Sequence, residues 1–367
     1  MVTRREFVRT LGAVAATAPL GVSVVGAQAG DRPGEGRPLV IDGLGEIRLD
    51  YEPALLDEIR ASGLRGCVVT MGNPALHDPA EALADIEQEI AAYDAHVAAS
   101  RGRLARATTV AELEQAAARD EIALVYYTQN ATAISDDAQR LDVLHRLGVR
   151  IVQLTYNTRN LLGDGCLERT NAGLSRFGVE AVERMHDLRI LVDVSHSGDA
   201  TTLDAITLAK RPVAITHAGC KAVFDHPRNK TDEALRALAD RGGVVGIFQI
   251  NPYLGPNERN TLDDFLRHVD HALDVAGIDH VGIGSDREHR VIPDTPEEKQ
   301  RLVDELSRLR PVTAATVRWP FFISELNGPR RMDVIRDALT RRGLSAAAVD
   351  KVLGGNFLRL FRDTIGG

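Results

Sequence analysis

The sequence predicts a (β/α)₈ barrel. Short β-branched runs recur along the chain, and each is followed by a longer stretch of helical periodicity, the alternation that parallel βα units require. About eight such pairs occur, and no GxGxxG follows the first run to mark a dinucleotide crevice, so an open doubly wound sheet is the weaker reading. At 367 residues the length allows two domains or one large barrel, and no repeat or low-complexity linker divides it.

The expected strands are Leu39-Val40-Ile41-Asp42, Cys67-Val68-Val69-Thr70, Ile122-Ala123-Leu124-Val125-Tyr126-Tyr127 and Arg150-Ile151-Val152-Gln153-Leu154-Thr155. Four more follow: Ile190-Leu191-Val192-Asp193-Val194, Pro212-Val213-Ala214-Ile215-Thr216, Val244-Val245-Gly246-Ile247-Phe248 and His280-Val281-Gly282-Ile283-Gly284. Between them, amphipathic stretches at 137–147, 179–188, 201–209, 232–239 and 262–276 read as helices, with Gly148, Gly242 and Gly277 where C-caps belong. Residues 291–318 read as a barrel insertion or lid, followed by Trp319-Pro320-Phe321-Phe322, and a terminal helix is expected over 346–361.

The first 29 residues do not belong to this pattern. Twin arginines in Thr3-Arg4-Arg5-Glu6-Phe7-Val8 precede an apolar run from 11 to 25, and Ala27-Gln28-Ala29 supplies a small-x-small cleavage site, which reads as a twin-arginine export signal. Residues 30–367 then form one catalytic barrel, expected in the periplasm or secreted. The apolar run is too short and too rich in Ala and Gly for a permanent membrane span. With 44 Lys and Arg against 52 Asp and Glu the net charge is −8, and removing Arg4, Arg5, Arg9 and Glu6 takes it to −10. That sign argues against a nucleic-acid partner. Cys67, Cys166 and Cys220 are odd in number and widely spaced, so neither a disulfide framework nor a metal knuckle is indicated. A homodimer is compatible with the chain, and oligomeric state is left open.

In such barrels reactive groups sit where strands end and βα loops begin. The first run ends in Asp42-Gly43-Leu44-Gly45-Glu46, the third in Thr128-Gln129-Asn130, and the fourth leads into Tyr156-Asn157. The fifth ends in Ser195-His196, the sixth in His217 and the eighth in Ser285-Asp286. Two imidazoles from adjacent strands and a carboxylate from the last would converge on one mouth, as a Zn²⁺-type site with an open position requires. The other nine histidines, His289 among them, read as surface or helix-packing residues. The glycine-bearing loop 160–169 reads as a cover for the site.

The segments Leu154-Thr155-Tyr156-Asn157, Asn171 to Gly178, Val192-Asp193-Val194-Ser195-His196, Ile215-Thr216-His217, Arg228 to Glu233, Val281 to Asp286 and Gly354 to Arg359, in this order and spacing, resemble the membrane (renal) dipeptidases, peptidase family M19. The resemblance implies binuclear zinc (β/α)₈ hydrolases, with His196 and His217 on one zinc, Asp286 on the second and orienting the attacking water, and Arg228 receiving a substrate carboxylate or developing oxyanion, with Asn229 beside it. It also identifies departures. The family begins Asp-Gly-His-Asn-Asp, where this chain has Leu44 and Glu46; the bridging glutamate is matched by Gln129, and a substrate-polarising histidine by Tyr156.

A neutral amide cannot screen two dications about 3.5–4 Å apart as a bridging carboxylate does. The expectation is therefore one tightly held Zn²⁺ at His196 and His217, completed by Gln129 or Asp286, and a second site at Glu46 and Asp286 that is weak or absent. Asp286 would serve as general base, with Tyr156 and Arg228 stabilising the oxyanion and contacting substrate. The expected function is an exported hydrolase of a dipeptide or similar small amide. The alternatives are an isomerase using Tyr156, Asp286 and Glu46 for proton transfer, and a catalytically degenerate binding barrel.

Overall fold

The computed structural model describes residues 39–309, 313 and 315–366, so the expected export leader lies outside the described residues. Nine strands form one parallel sheet: β1 (Val40–Asp42), β2 (Leu64–Thr70), β3 (Leu104–Arg106), β4 (Ile122–Thr128), β5 (Val149–Gln153), β6 (Leu191–Asp193), β7 (Ala214–Ala218), β8 (Val244–Ile247) and β9 (Val281–Ile283). Eight of them run in the order β1-β2-β4-β5-β6-β7-β8-β9. The edges meet where Gly43 N donates to Ile283 O (2.8 Å) and Asp286 N to Leu44 O (2.8 Å). This seam curls the sheet into the expected α/β barrel and excludes the open sheet.

The expected strands all form, each within a few residues of its predicted bounds. The addition is β3, three residues too short to carry a periodicity signal. It pairs with β4 at Ile122, Ala123 and Leu124, on the stretch of strand below the point where β5 takes over at Tyr126. Four further α-helices among the described residues were not anticipated: Pro53–Ala61, Pro79–Ala99, Val110–Ala118 and Arg331–Arg341. Pro79–Ala99 starts at an Asp78 N-cap, and Val110–Ala118 starts at a Thr109/Glu112 capping box. Gly148, Gly242 and Gly277 hold positive φ after their helices, as expected of such positions.

Alternation along the strands divides the core in two. Val40, Val69, Leu124, Val192, Ile215, Val245 and Ile283 pack outward with the surrounding helices. Ile41, Val68, Val125, Ile151, Leu191, Ala214 and Val244 instead join Phe357, Leu360 and Phe361 of the terminal helix Asn356–Thr364. The Phe357 ring occupies the space that a Cβ on Gly43 would need, 2.1 Å away, so glycine is required there. This helix therefore plugs the inner apolar layer of the barrel. Above the plug the inward residues turn polar. Tyr127 Oη lies 2.5 Å from Asp193 Oδ2 and 2.9 Å from Gln153 Oε1, and this layer underlies the site. Among the described residues no helix is long and apolar enough to cross a membrane.

Candidate active site

His196 follows β6 in the turn Val194-Ser195-His196-Ser197, and His217 lies within β7. The pairing of β7 with β8 shifts register between Ile215 and Ala218, an irregularity of the kind that re-aims side chains at a barrel rim. The two rings meet. Nε2 of His196 lies 2.9 Å from Nε2 of His217. The outer nitrogens are committed: His196 Nδ1 bonds Asn157 Oδ1 at 2.8 Å, and His217 Nδ1 bonds Thr216 Oγ1 at 2.8 Å. Thr216 Oγ1 donates its own proton to Asp193 Oδ2 (2.9 Å), so it accepts from His217. Both Nδ1 atoms thus carry hydrogen, a tautomer assigned by the network, and two Nε2 lone pairs face each other. Burial, then the charges of Arg228 and Lys230, hold both imidazoles well below their usual pKa. Two neutral, buried acceptors aimed at one point are the donor set a divalent cation satisfies.

Two buried cations fix the backbone around this pair. Arg228 donates to Ser195 O (2.5 Å) and His217 O (3.4 Å). Lys230 Nζ bonds Val194 O (2.7 Å), Ser197 O (2.7 Å) and Thr202 Oγ1 (2.9 Å), and burial lowers its pKa to about 8. The Tyr156 ring stacks on His196 at 4.3 Å between centroids. Asn157, which orients His196, sits in the left-handed region at φ 57°, a conformation asparagine tolerates better than most residues.

The carboxylate side is built differently. Asp286 also holds a left-handed φ of 53°, and among the described residues its carboxylate makes no hydrogen bond. Burial raises its pKa to about 6; Arg228 opposes the shift, and Asp42 and Asp193 reinforce it. Asp42, fully buried, accepts from Ser285 Oγ (2.6 Å), His289 Nε2 (3.0 Å) and Arg331 Nη2 (3.2 Å). Arg331 also donates to Glu288 O (3.0 Å) and Arg287 O (3.3 Å), fixing the backbone just past Asp286. His289 is therefore neither a surface nor a helix-packing residue, and Arg331 is a structural partner that the sequence reading missed.

The remaining site candidates separate. Glu46 turns to the outer rim, where Glu46, Glu288 and Glu305 bring carboxylate oxygens within 4.8 Å of one another. Arg48 Nη1 already donates to all three, at 3.3, 3.1 and 3.4 Å, so a guanidinium fills this ring. Burial and the charges of Glu305 and Glu288 push Glu46 upward in pKa, with Arg48 opposing. This is the only such group of three His, Cys, Asp or Glu residues among the described residues; Asp286 does not close on the imidazoles to that distance. Gln129 donates its amide to Thr70 Oγ1 (2.9 Å). Asn229 is fully buried and ties Phe224 O to Tyr253 O (2.8 and 2.9 Å).

The loop 160–169 is a fixed wall. Asp164 within it accepts from Arg159, Thr170 Oγ1 and Ala172 N, and chiefly the Arg159 bond lowers its pKa to about 2. Cys166 N donates to His196 O at 2.7 Å.

The sequence profile of the membrane dipeptidases, peptidase family M19, matches residues 54–318. The chain belongs to the membrane dipeptidase family. Among curated relatives, dipeptidase verJ of Clonostachys rogersoniana is 30% identical over 260 residues, which cover 70% of this chain and 59% of that protein. An uncharacterised protein from the pqqA 5′ region of Klebsiella pneumoniae is 29% identical over 226 residues, 59% of this chain and 83% of that one. Of solved structures, an amidohydrolase from Pseudomonas aeruginosa superposes with a TM-score of 0.78 at 29% identity, covering 90% of this chain and 97% of that one. A Rhodobacter sphaeroides metallopeptidase, solved with a phosphinate mimic of L-Ala-D-Ala, shares the fold at a TM-score of 0.73 and 20% identity, covering 89% and 99%. In this dipeptidase-family member the two imidazoles face each other, while Glu46 lies in the Arg48 ring.

Proposed function

We propose that the protein is a metal-dependent hydrolase cleaving a dipeptide or a similar small amide. The observation that carries this reading is the facing pair of Nε2 atoms, each imidazole fixed in the metal-binding tautomer at the mouth of a barrel of this family. His196 and His217 would hold the cation. A bound divalent ion such as Zn²⁺ supplies Lewis acidity and lowers the pKa of water. Asp286, titrating near 6, is ionised at neutral pH and accepts a proton on its carboxylate, later returning it to the leaving amine. Arg228 has guanidinium N–H groups beyond the two spent on Ser195 and His217, and these meet the substrate carboxylate or the oxyanion. The Tyr156 hydroxyl contributes a second donor.

With Gln129 neutral and Glu46 paired to Arg48, one tightly held ion is expected and a second position is weak. The alternative proton-transfer enzyme needs Glu46 in its acid–base set, and the Arg48 ring counts against it. Metal analysis of the purified protein with a dipeptide screen, D-configured second residues included, tests the reading. One equivalent of Zn²⁺ and turnover are expected; a protein with no metal affinity and no turnover would be a binding barrel instead. We also propose export through the twin arginines. Arg4→Lys with Arg5→Lys should leave the protein in the cytoplasmic fraction, and unchanged periplasmic recovery would reject that proposal.

A further inference from the structure

The loops after β8 and β9 form a cavity of about 80 Å³, lined by Arg259, Arg287, Asp294, Trp319, Phe321 and Phe322 among others. That is several times the ~10–15 Å³ one ordered water needs, enough for an amino-acid side chain. The aromatic strap is stitched into the barrel mouth. Asn251 N donates to Phe321 O (2.8 Å) and Ile323 N to Gln249 O (3.1 Å), while Gln249 N donates to Ser285 O (3.1 Å), the residue before Asp286. Arg287 of the lining directly follows Asp286 in the chain, so the cavity is anchored to the backbone that carries the reactive carboxylate.

Its chemistry is lopsided. Arg287 is 2% exposed, stacks 4.7 Å over Phe322 and donates to two neutral oxygens, Ile323 O (3.2 Å) and Asn327 Oδ1 (3.0 Å). Its Nε–H has no partner, and no carboxylate lies within ion-pair distance of it among the described residues. Arg331, equally buried, has Asp42. A buried guanidinium without an anion is costly unless something supplies one. At the rim, Arg259 is 65% exposed and pairs loosely, at 4.0 Å, with Asp294, which is also engaged by Trp319 Nε1 (2.7 Å) and Lys299 Nζ (3.3 Å).

We propose that this cavity is a side-chain subsite for an acidic residue of the substrate, with the apolar stem against Phe321, Phe322 and Trp319 and the carboxylate on Arg287. The proposal rests on the hydrolase reading above and specifies its substrates as acidic dipeptides.

Two measurements separate the subsite from the hydrolase reading. In the first, dipeptides carrying Glu or isosteric Gln at either position are compared by kcat/KM. Glu should lead by about tenfold or more, the size of one well-made charge-assisted contact. Arg287→Met should bring the Glu/Gln ratio toward one. Because Arg287 is buried, Arg259→Glu on the exposed rim serves as the second variant and should lower the same ratio. In the second measurement, Trp319 is the single tryptophan of the chain, so its emission reports occupancy directly. Free glutamate, which offers no bond to hydrolyse, should change that emission in the purified full-length protein, and free glutamine at equal concentration should not. A glutamate-specific emission response without cleavage of any dipeptide would keep the subsite and overturn the peptidase reading. Equal Glu and Gln rates in wild type and Arg259→Glu, with silent emission, would overturn the subsite and leave the peptidase reading intact.

Discussion

The two halves of the barrel mouth bury polar groups by opposite means. Around β6 and β7, neutral hydrogen bonds do the work: Asn157 and Thr216 fix the imidazoles, and the cations Arg228 and Lys230 hang on backbone carbonyls instead of carboxylates. Around the β9–β1 seam, buried charge meets buried charge, with Asp42 held below its usual range, against the upward push of burial, by His289 and Arg331. Hydrogen bonds to neutral groups fix direction, which a metal ligand needs. Ion pairs fix position at a large desolvation cost. Asp286 belongs to neither scheme. Its backbone is gripped from both sides while its carboxylate makes no hydrogen bond among the described residues, as suits a group that must take up and release a proton.

The largest test of this contrast removes the imidazoles. His196→Ala and His217→Ala should each abolish metal binding and turnover while circular dichroism stays unchanged; full metal occupancy in both would break the assignment. Next, Asp286→Asn should lower kcat roughly 10²–10⁴-fold yet retain metal, because the carboxylate does not reach the imidazole pair. Wild-type activity should fall as pH drops through about 6, where Asp286 protonates, and the variant should lack that limb. Since burial raises this pKa, folded Asp286 binds its proton more tightly than unfolded Asp286. Its contribution to stability is therefore lost as pH rises through about 6.

One buried cation from each half sharpens the comparison further. Arg331→Met strands Asp42 and should cost about 3–5 kcal/mol in chemical denaturation. Lys230→Met strands only neutral acceptors and should cost about 1–3 kcal/mol, while weakening metal affinity through the turn that carries His196. Equal losses would mean that the two halves are not built differently. The smallest effect belongs to Glu46→Gln. Its half-exposed pair with Arg48 is worth under about 1 kcal/mol, and metal content should not change.

Much of this was legible in the sequence because strand-ending residues are local signals. His196, His217 and Asp286 each follow a β-branched run, and the barrel rule gathers such ends at one rim. The partners were not legible. Arg331 lies 289 residues from Asp42 in sequence, and nothing in its helix distinguishes it from its neighbour Arg330. Lys230 carries no sequence signal of burial, which arises only when the loop folds it beneath the His196 turn. Glu46 looked like a metal ligand because position alone was visible, and the competing guanidinium of Arg48 emerges only when the rim assembles.

The stopper formed by Phe357, Leu360 and Phe361 carries a consequence for biosynthesis. These side chains complete the inner layer shared by strands spread from β1 to β8, yet they leave the ribosome long after β9. The nascent strands therefore expose a hollow apolar interior until this helix is made, and the inner layer of the barrel is completed only after the helix emerges. Deleting the helix should yield a chain that chaperones hold and proteases remove.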